Sequence, residues 1–269
     1  MEKVKAIVLR AAGINCDMET EWALELAGAE AQRIHINRLI KDKNLLEQFQ
    51  IMVVPGGFSY GDDIAAGKIL ANQIIHHLRD SIQKFIDDGK LILGICNGFQ
   101  VLVKAGILPG TAKHESRVTI TYNDSGKFED RWVYLVPQTK RCVFIEPGRQ
   151  IYLPIAHGEG KIATENIDTL EKLKADGHIA FKYVDKNGNE GDYPVNPNGS
   201  IDSIAGLTDT TGRILGLMPH PERHVRATQH PHWSRLYNMR ATSDKPRVTK
   251  YADGMTIFAN AVTYVKENL

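Results

Sequence analysis

The sequence predicts an α/β fold, a parallel sheet flanked by helices with antiparallel β additions, on three observations. Over roughly the first hundred residues, short apolar runs alternate with helical stretches at the spacing of strand-helix-strand units. Two of these runs end in glycine-containing turns, Pro55-Gly56-Gly57 and Gly94-Ile95-Cys96-Asn97-Gly98. From about residue 118 the pattern changes to short β-like runs broken by Gly, Pro and Asn.

In order, residues 5–9 make a first strand and residues 17–27 a helix closed by Gly28. Residues 31–36 form a second strand, 39–49 a second helix and 51–54 a third strand. A helical stretch then runs to about residue 88 and is capped by Gly89, a residue that readily adopts the left-handed helix-ending conformation. The apolar run from Leu91 fits a buried strand, and the segment after Gly98 reads as a helix stopped at Gly106. Runs at 118–122, 132–136, 143–145 and 180–184 are antiparallel additions, with 185–191 a hairpin tip. Residues 214–218 make a further buried strand. Ile257, Phe258, Ala261, Val262 and Val265 form the apolar stripe of a closing helix. Residues 1–269 therefore read as one domain, with a β-rich insertion at about 118–204 and a basic loop at 223–250.

Composition narrows the function classes. A chain of 269 residues, 42% hydrophobic, can bury a large core, and a formal charge of +1 gives no signal for nucleic acid or membrane. No apolar run approaches the ~20 residues of a membrane span, and the charged start lacks a signal-peptide core. Three cysteines cannot all pair, which suits the cytoplasm.

The chemistry is concentrated at the ends of apolar runs. Cys96 stands between two glycines at a strand-to-helix turn, the setting of a nucleophile elbow, and a helix N-terminus favours the thiolate. The alternative is a small buried hydrophobe, the commonest role of a free cysteine. A nucleophile needs a base, and Pro219-His220-Pro221-Glu222 follows the apolar run 214–218. The prolines keep this segment extended, so His220 and Glu222 share a side, as a base and its orienting carboxylate would. A surface His and Glu in a kinked loop is the other reading. The Gly56-Gly57 loop can bring a backbone N–H near Gly57 to an oxyanion, with Asn97 supplying the second donor. It lacks the Lys-Ser/Thr of a phosphate-binding loop and the spacing of a dinucleotide fingerprint.

These residues sit in stretches that resemble the class I, triad-type glutamine amidotransferases. More narrowly, the chain resembles the glutaminase subunits of phosphoribosylformylglycinamidine synthase. The matching stretches are Gly13-Ile14-Asn15-Cys16-Asp17, Pro55 to Asp62, Gly94 to Gln100, Ala156-His157-Gly158-Glu159-Gly160, Pro197-Asn198-Gly199-Ser200 and Pro219 to Arg223. Ala12 stands where that family commonly has a proline. The resemblance implies a flavodoxin-like sheet and a Cys96-His220-Glu222 triad. It also implies glutamine hydrolysis through a cysteine thioester, with ammonia passed to a synthetase subunit in purine biosynthesis. It places ATP and magnesium on that partner, with no cofactor on this chain, and leaves a small third subunit open. Gln100, one turn after Cys96, resembles a substrate-side contact. A glutaminase serving another ammonia acceptor, a cysteine hydrolase of related fold and a non-catalytic docking module are the other readings, and the intact Cys-His-Glu set counts against the last.

Cys16 reads as a loop residue near the site, Cys142 as packing and His157 as structural or substrate-orienting. The histidines at 76, 77, 220, 224, 230 and 232 include no metal-binding pattern, so no metal is expected. The segment 223–250 carries seven basic residues and Asp244 with Trp233 and Tyr237, a composition suited to docking the synthetase.

Overall fold

The computed structural model describes residues 3–110, 117–235 and 251–269. Strands β1 (Lys5–Arg10), β2 (Glu30–His35), β3 (Ile51–Val54), β4 (Leu91–Ile95) and β11 (Ile214–Leu217) form a parallel set in the order β2-β1-β3-β4-β11. That is the doubly wound order in which ligands bind at the carboxyl ends of the strands. The antiparallel strands β10 (Ile204–Thr208), β9 (Ile179–Val184), β6 (Glu129–Pro137) and β7 (Ile151–His157) extend the same sheet to nine strands among the described residues. A separate pair joins β5 (Val118–Tyr122) to β8 (Glu159–Thr164).

The central strands β3, β4 and β11 are buried at every position, which is why they read as continuous apolar runs rather than alternating ones. Helix α1 (Asp17–Leu26) packs against the C-terminal helix α7 (Met255–Asn268), and α3 (Lys68–Gln73) against α5 (Asn97–Lys104). Gly89 and Gly106 take the positive φ expected of helix stops. The long helical stretch before Gly89 is broken by a π-helical turn, Ile74–Leu78, between α3 and α4 (Arg79–Asp87).

Several elements differ from the sequence reading. The second helix starts three residues earlier, as α2 (Ile36–Lys41), and ends in a 3-10 helix, Lys43–Gln48. Residues 143–145 are not a strand. Ile145 N–H turns back to the Cys142 carbonyl, and the buried Phe144 and Ile145 side chains, not ladder bonds, make the run apolar. The tip at 185–191 is a tight turn closed on Asp185, but its return path holds no strand until β10, which then pairs with β9. Strands β7, β8 and β10 and helix α6 (Ile167–Ala175) carried no clear signal alone.

Candidate active site

Four loops converge at the carboxyl ends of β1, β3, β4 and β11, carrying Cys16, Gly57, Cys96 and His220. Cys96 follows β4 directly and precedes α5, with φ 51° and ψ −108°. A non-glycine residue pays for this conformation with strain, and here the neighbours hold it in place. Cys96 N–H donates to the Leu217 carbonyl at 2.8 Å, and its sulfur reaches the Ala156 carbonyl at 3.7 Å. A Cβ at Gly98 would collide with the Val54 carbonyl, and one at Gly94 would meet Leu102 and the Gly98 backbone. The elbow therefore needs both glycines, for packing.

Gly57 has φ 140°, and a Cβ there would lie 2.7 Å from Asn15 N and Gly13 O. The loop after β1 thus presses on the loop after β3, and only glycine fits between them. Further along the same loop, Tyr60, Gly61 and Asp62 all have positive φ. This turn is pinned to the elbow through the Asn97 side chain. Ser59 N–H donates to Asn97 Oδ1 at 3.1 Å, and Asn97 Nδ2 donates to Asp62 Oδ1 and Gln100 Oε1, both at 3.0 Å. One residue can thus offer its first-turn backbone N–H, which has no acceptor within the helix, while its side chain holds the loop bearing Gly57. Gln100 is buried and engaged at both ends, accepting from Asn97 and donating to the Glu159 carbonyl at 2.5 Å. A substrate contact by Gln100 would have to exchange one of these bonds.

His220 and Glu222 are 2% and 0% exposed, and His220 Nδ1 lies 2.5 Å from Glu222 Oε1. His220 N–H is fixed to the Pro154 carbonyl at 2.8 Å. Burial opposes charge on the ring, but the Glu222 carboxylate and the facing Cys96 sulfur outweigh it and hold the imidazole well above its ordinary value. Among the described residues, none closes a hydrogen bond with His220 Nε2. Such bonds tighten when substrate enters.

Cys16, the loop residue expected near the site, lies directly against this centre. Its sulfur is 4.0 Å from His220 Nδ1, donates to Asn15 Oδ1 at 3.2 Å and accepts from Arg223 Nη2 at 3.1 Å. Arg223 also pairs with Glu19 of α1 at 3.0 Å. Burial raises the Cys16 thiol above its ordinary value and pushes the Cys142 thiol up to about 12. Cys16 and Arg223 both belong to recognisable motifs, but only the fold shows that these two motifs touch.

His157 is buried beside Asn123, whose Oδ1 accepts from both His157 Nδ1 and Gly160 N–H. Its ring fills the place a Cβ on Gly160 would take, which explains the second glycine of His-Gly-Glu-Gly. Burial, aided by repulsion from His220, lowers its pKa to about 3. An unfolded histidine near 6.5 takes up a proton that the folded ring refuses until about 3, so His157 makes the fold lose stability as pH falls through that window. The raised His220 works in reverse, stabilising below about 6.5 and losing that contribution as pH rises through its folded value. His157→Asn is expected to flatten the acid-side fall of the urea midpoint between pH 6.5 and 3.

The His224 and His230 rings pack against Trp132, and His230 also against Tyr152 and His232, with His224 Nδ1 bonded to the Tyr152 carbonyl at 2.7 Å. In the basic segment, Arg226 stacks over Trp22 at 4.8 Å and Trp233 is 44% exposed. Tyr237, Arg240, Asp244, Lys245, Arg247 and Lys250 lie outside the described residues.

The family model of the CobB/CobQ-like glutamine amidotransferase domain matches residues 3–265. The chain belongs to this glutamine amidotransferase family. It is 46% identical to the phosphoribosylformylglycinamidine synthase subunit PurQ of Dehalococcoides mccartyi, over 99% of this chain and 100% of that one. The Methanococcus maripaludis subunit of the same name is 42% identical over 97% of each chain. A chain of the PurLQS structure from Thermotoga maritima superposes with a TM-score of 0.71 at 30% identity, covering 98% of this amidotransferase chain and 100% of its own length. A second amidotransferase structure from that organism shares the fold, with a TM-score of 0.55 at 16% identity and all of both chains covered. Among the described residues of this amidotransferase, no helix is long and apolar enough to cross a membrane.

Proposed function

We propose that the chain is the PurQ-type glutaminase subunit of a phosphoribosylformylglycinamidine synthase, releasing ammonia from glutamine for a synthetase subunit. The observation that carries the chemistry is the strained Cys96 elbow facing the buried His220–Glu222 pair. His220 takes the Cys96 proton, and the sulfur attacks the glutamine side-chain carbonyl. The Gly57 and Asn97 N–H groups receive the oxyanion, and such donors contribute roughly 3 kcal/mol each. Imidazolium then protonates the departing ammonia, leaving a thioester that water, activated by His220, converts to glutamate and free thiol. Glu222 fixes the tautomer and stabilises the imidazolium.

ATP and magnesium belong on the synthetase in this reading, in keeping with glycine loops that lack phosphate-binding lysines. A glutamine-mimicking electrophile is expected to label Cys96 alone, with glutamine protecting it, as peptide mass mapping would show. Label on Cys16 or Cys142 instead would refute the assignment. The synthetase docks along 223–250 in the same reading. Charge reversal at Arg235 and Arg240 with Trp233→Ala is then expected to weaken co-purification and remove partner-dependent activation of glutamine turnover. Unchanged affinity and activation would make this segment an ordinary loop.

A further inference from the structure

The glutaminase reading uses His220 and Glu222 but gives Cys16 no task, although one donor atom from each of the three lies within 4.8 Å of the others. We propose that Cys16, His220 and Glu222 form an inhibitory site for a soft divalent cation, of which zinc is the natural representative. Thiolate, imidazole and carboxylate are all zinc ligands, and three of them with one open position make a common zinc environment. Bond lengths of roughly 2.0–2.3 Å put tetrahedral donors about 3.5 Å apart. The Cys16–His220 separation of 4.0 Å and the His220–Glu222 separation of 2.5 Å bracket that value. To admit an ion, Nδ1 therefore has to draw away from Glu222 and toward the Cys16 sulfur.

An independent observation points to the same place. Glu222 is completely buried, and among the described residues its Oε2 has no hydrogen-bond partner, so carboxylate capacity is left unused beside His220. The apparent objection is the guanidinium of Arg223 on the Cys16 sulfur. Its charge is already answered by Glu19 at 3.0 Å, and its side chain is 37% exposed, so it can yield the sulfur to a metal without being stranded in the interior. The other histidine cluster is a poorer host. His224 Nδ1 is bonded to the Tyr152 carbonyl and His230 Nδ1 to His232 N–H.

Ligation at Nδ1 would pull the imidazole off Glu222 and immobilise it, so an occupied site cannot hydrolyse glutamine. This consequence rests on the reading of His220 as the base, whereas metal binding itself does not. The test for binding uses cobalt(II) with Cys96→Ala/Cys142→Ala, in which Cys16 is the sole thiol. One equivalent is expected to bind with a sulfur-to-cobalt charge-transfer absorption, to be displaced by zinc, and to lose that absorption when Cys16→Ser is added. Absence of the absorption in the sole-thiol protein would overturn the site.

The test for inhibition titrates zinc alone into the otherwise unsubstituted chain and into Cys16→Ser or Cys16→Ala. Each protein is compared with its own chelated rate. Loss of a ligand is expected to raise the inhibitory zinc concentration at least ~10-fold. Equal sensitivity would place the inhibitory metal on Cys96 and His220 and refute the proposal. Cobalt binding through Cys16 with glutamine turnover unaffected would overturn its inhibitory half, while His220→Asn decides the base reading separately.

Discussion

Cys96→Ala is expected to abolish glutamine hydrolysis, lowering the rate by at least ~10⁴-fold, while ammonia-dependent amidine synthesis by the assembled complex continues near its normal rate. The separation follows from the division of chemistry, because the thiol is needed only to make ammonia. The substitution removes one sulfur from a residue held by its backbone, through the Leu217 carbonyl, so the elbow should survive it. Alanine also keeps a Cβ in a position that already carries one at φ 51°, adding no new backbone strain. Rates with saturating glutamine and with saturating ammonium salt, measured on the same purified complex, check both halves. Loss of the ammonia-dependent rate in a folded, assembled variant would mean that Cys96 serves the synthetase reaction too.

The parts of this architecture that were legible in the sequence are those where one physical constraint acts locally. Strands β3, β4 and β11 are buried on both faces, so their apolar runs are uninterrupted and bounded by turns. The elbow announces itself because neither glycine can carry a side chain, Gly94 facing Leu102 of the following helix and Gly98 the Val54 carbonyl of β3. The antiparallel region was less legible for a physical reason. Strand β7 is Ile-Tyr-Leu-Pro-Ile-Ala-His, where a proline and an alternating burial pattern obscure the run, and the apolar residues 143–145 earn their burial as a turn packed on the core. Helix α6 is recognisable mainly by Asn166, whose side chain caps it by accepting from Thr169 N–H. At the site, the Cys16–His220 and Cys16–Arg223 contacts join residues more than two hundred positions apart. Sequence spacing carries no information on such pairs. The strand order that brings β1 within reach of β11 is a property of the whole sheet.

His220→Asn is expected to cost glutamine hydrolysis about 10²–10⁴-fold or more, since a positioned acid–base group contributes that much and triad members act as a unit. Glu222→Gln should cost less, because Glu222 transfers no proton, but it should move the pH profile. In the folded protein the carboxylate and the facing Cys96 sulfur hold the imidazole above its ordinary value against the effect of burial. With the carboxylate neutralised, burial should win and the folded pKa should fall. Thus the rise of activity controlled by the free imidazole is expected to shift to lower pH in Glu222→Gln, even as the maximum rate drops. The same change removes charge stabilisation of the imidazolium that must protonate ammonia, which is why the maximum cannot be preserved. Initial-rate pH profiles of glutamine hydrolysis for the two variants and the parent separate these effects. His157 is the internal control, being buried and neutral with a pKa near 3. Normal turnover in His220→Asn together with loss of turnover in His157→Asn would transfer the base to His157 and refute the triad. Retention of the parent profile in Glu222→Gln would show that Glu222 sets neither the charge nor the tautomer of His220.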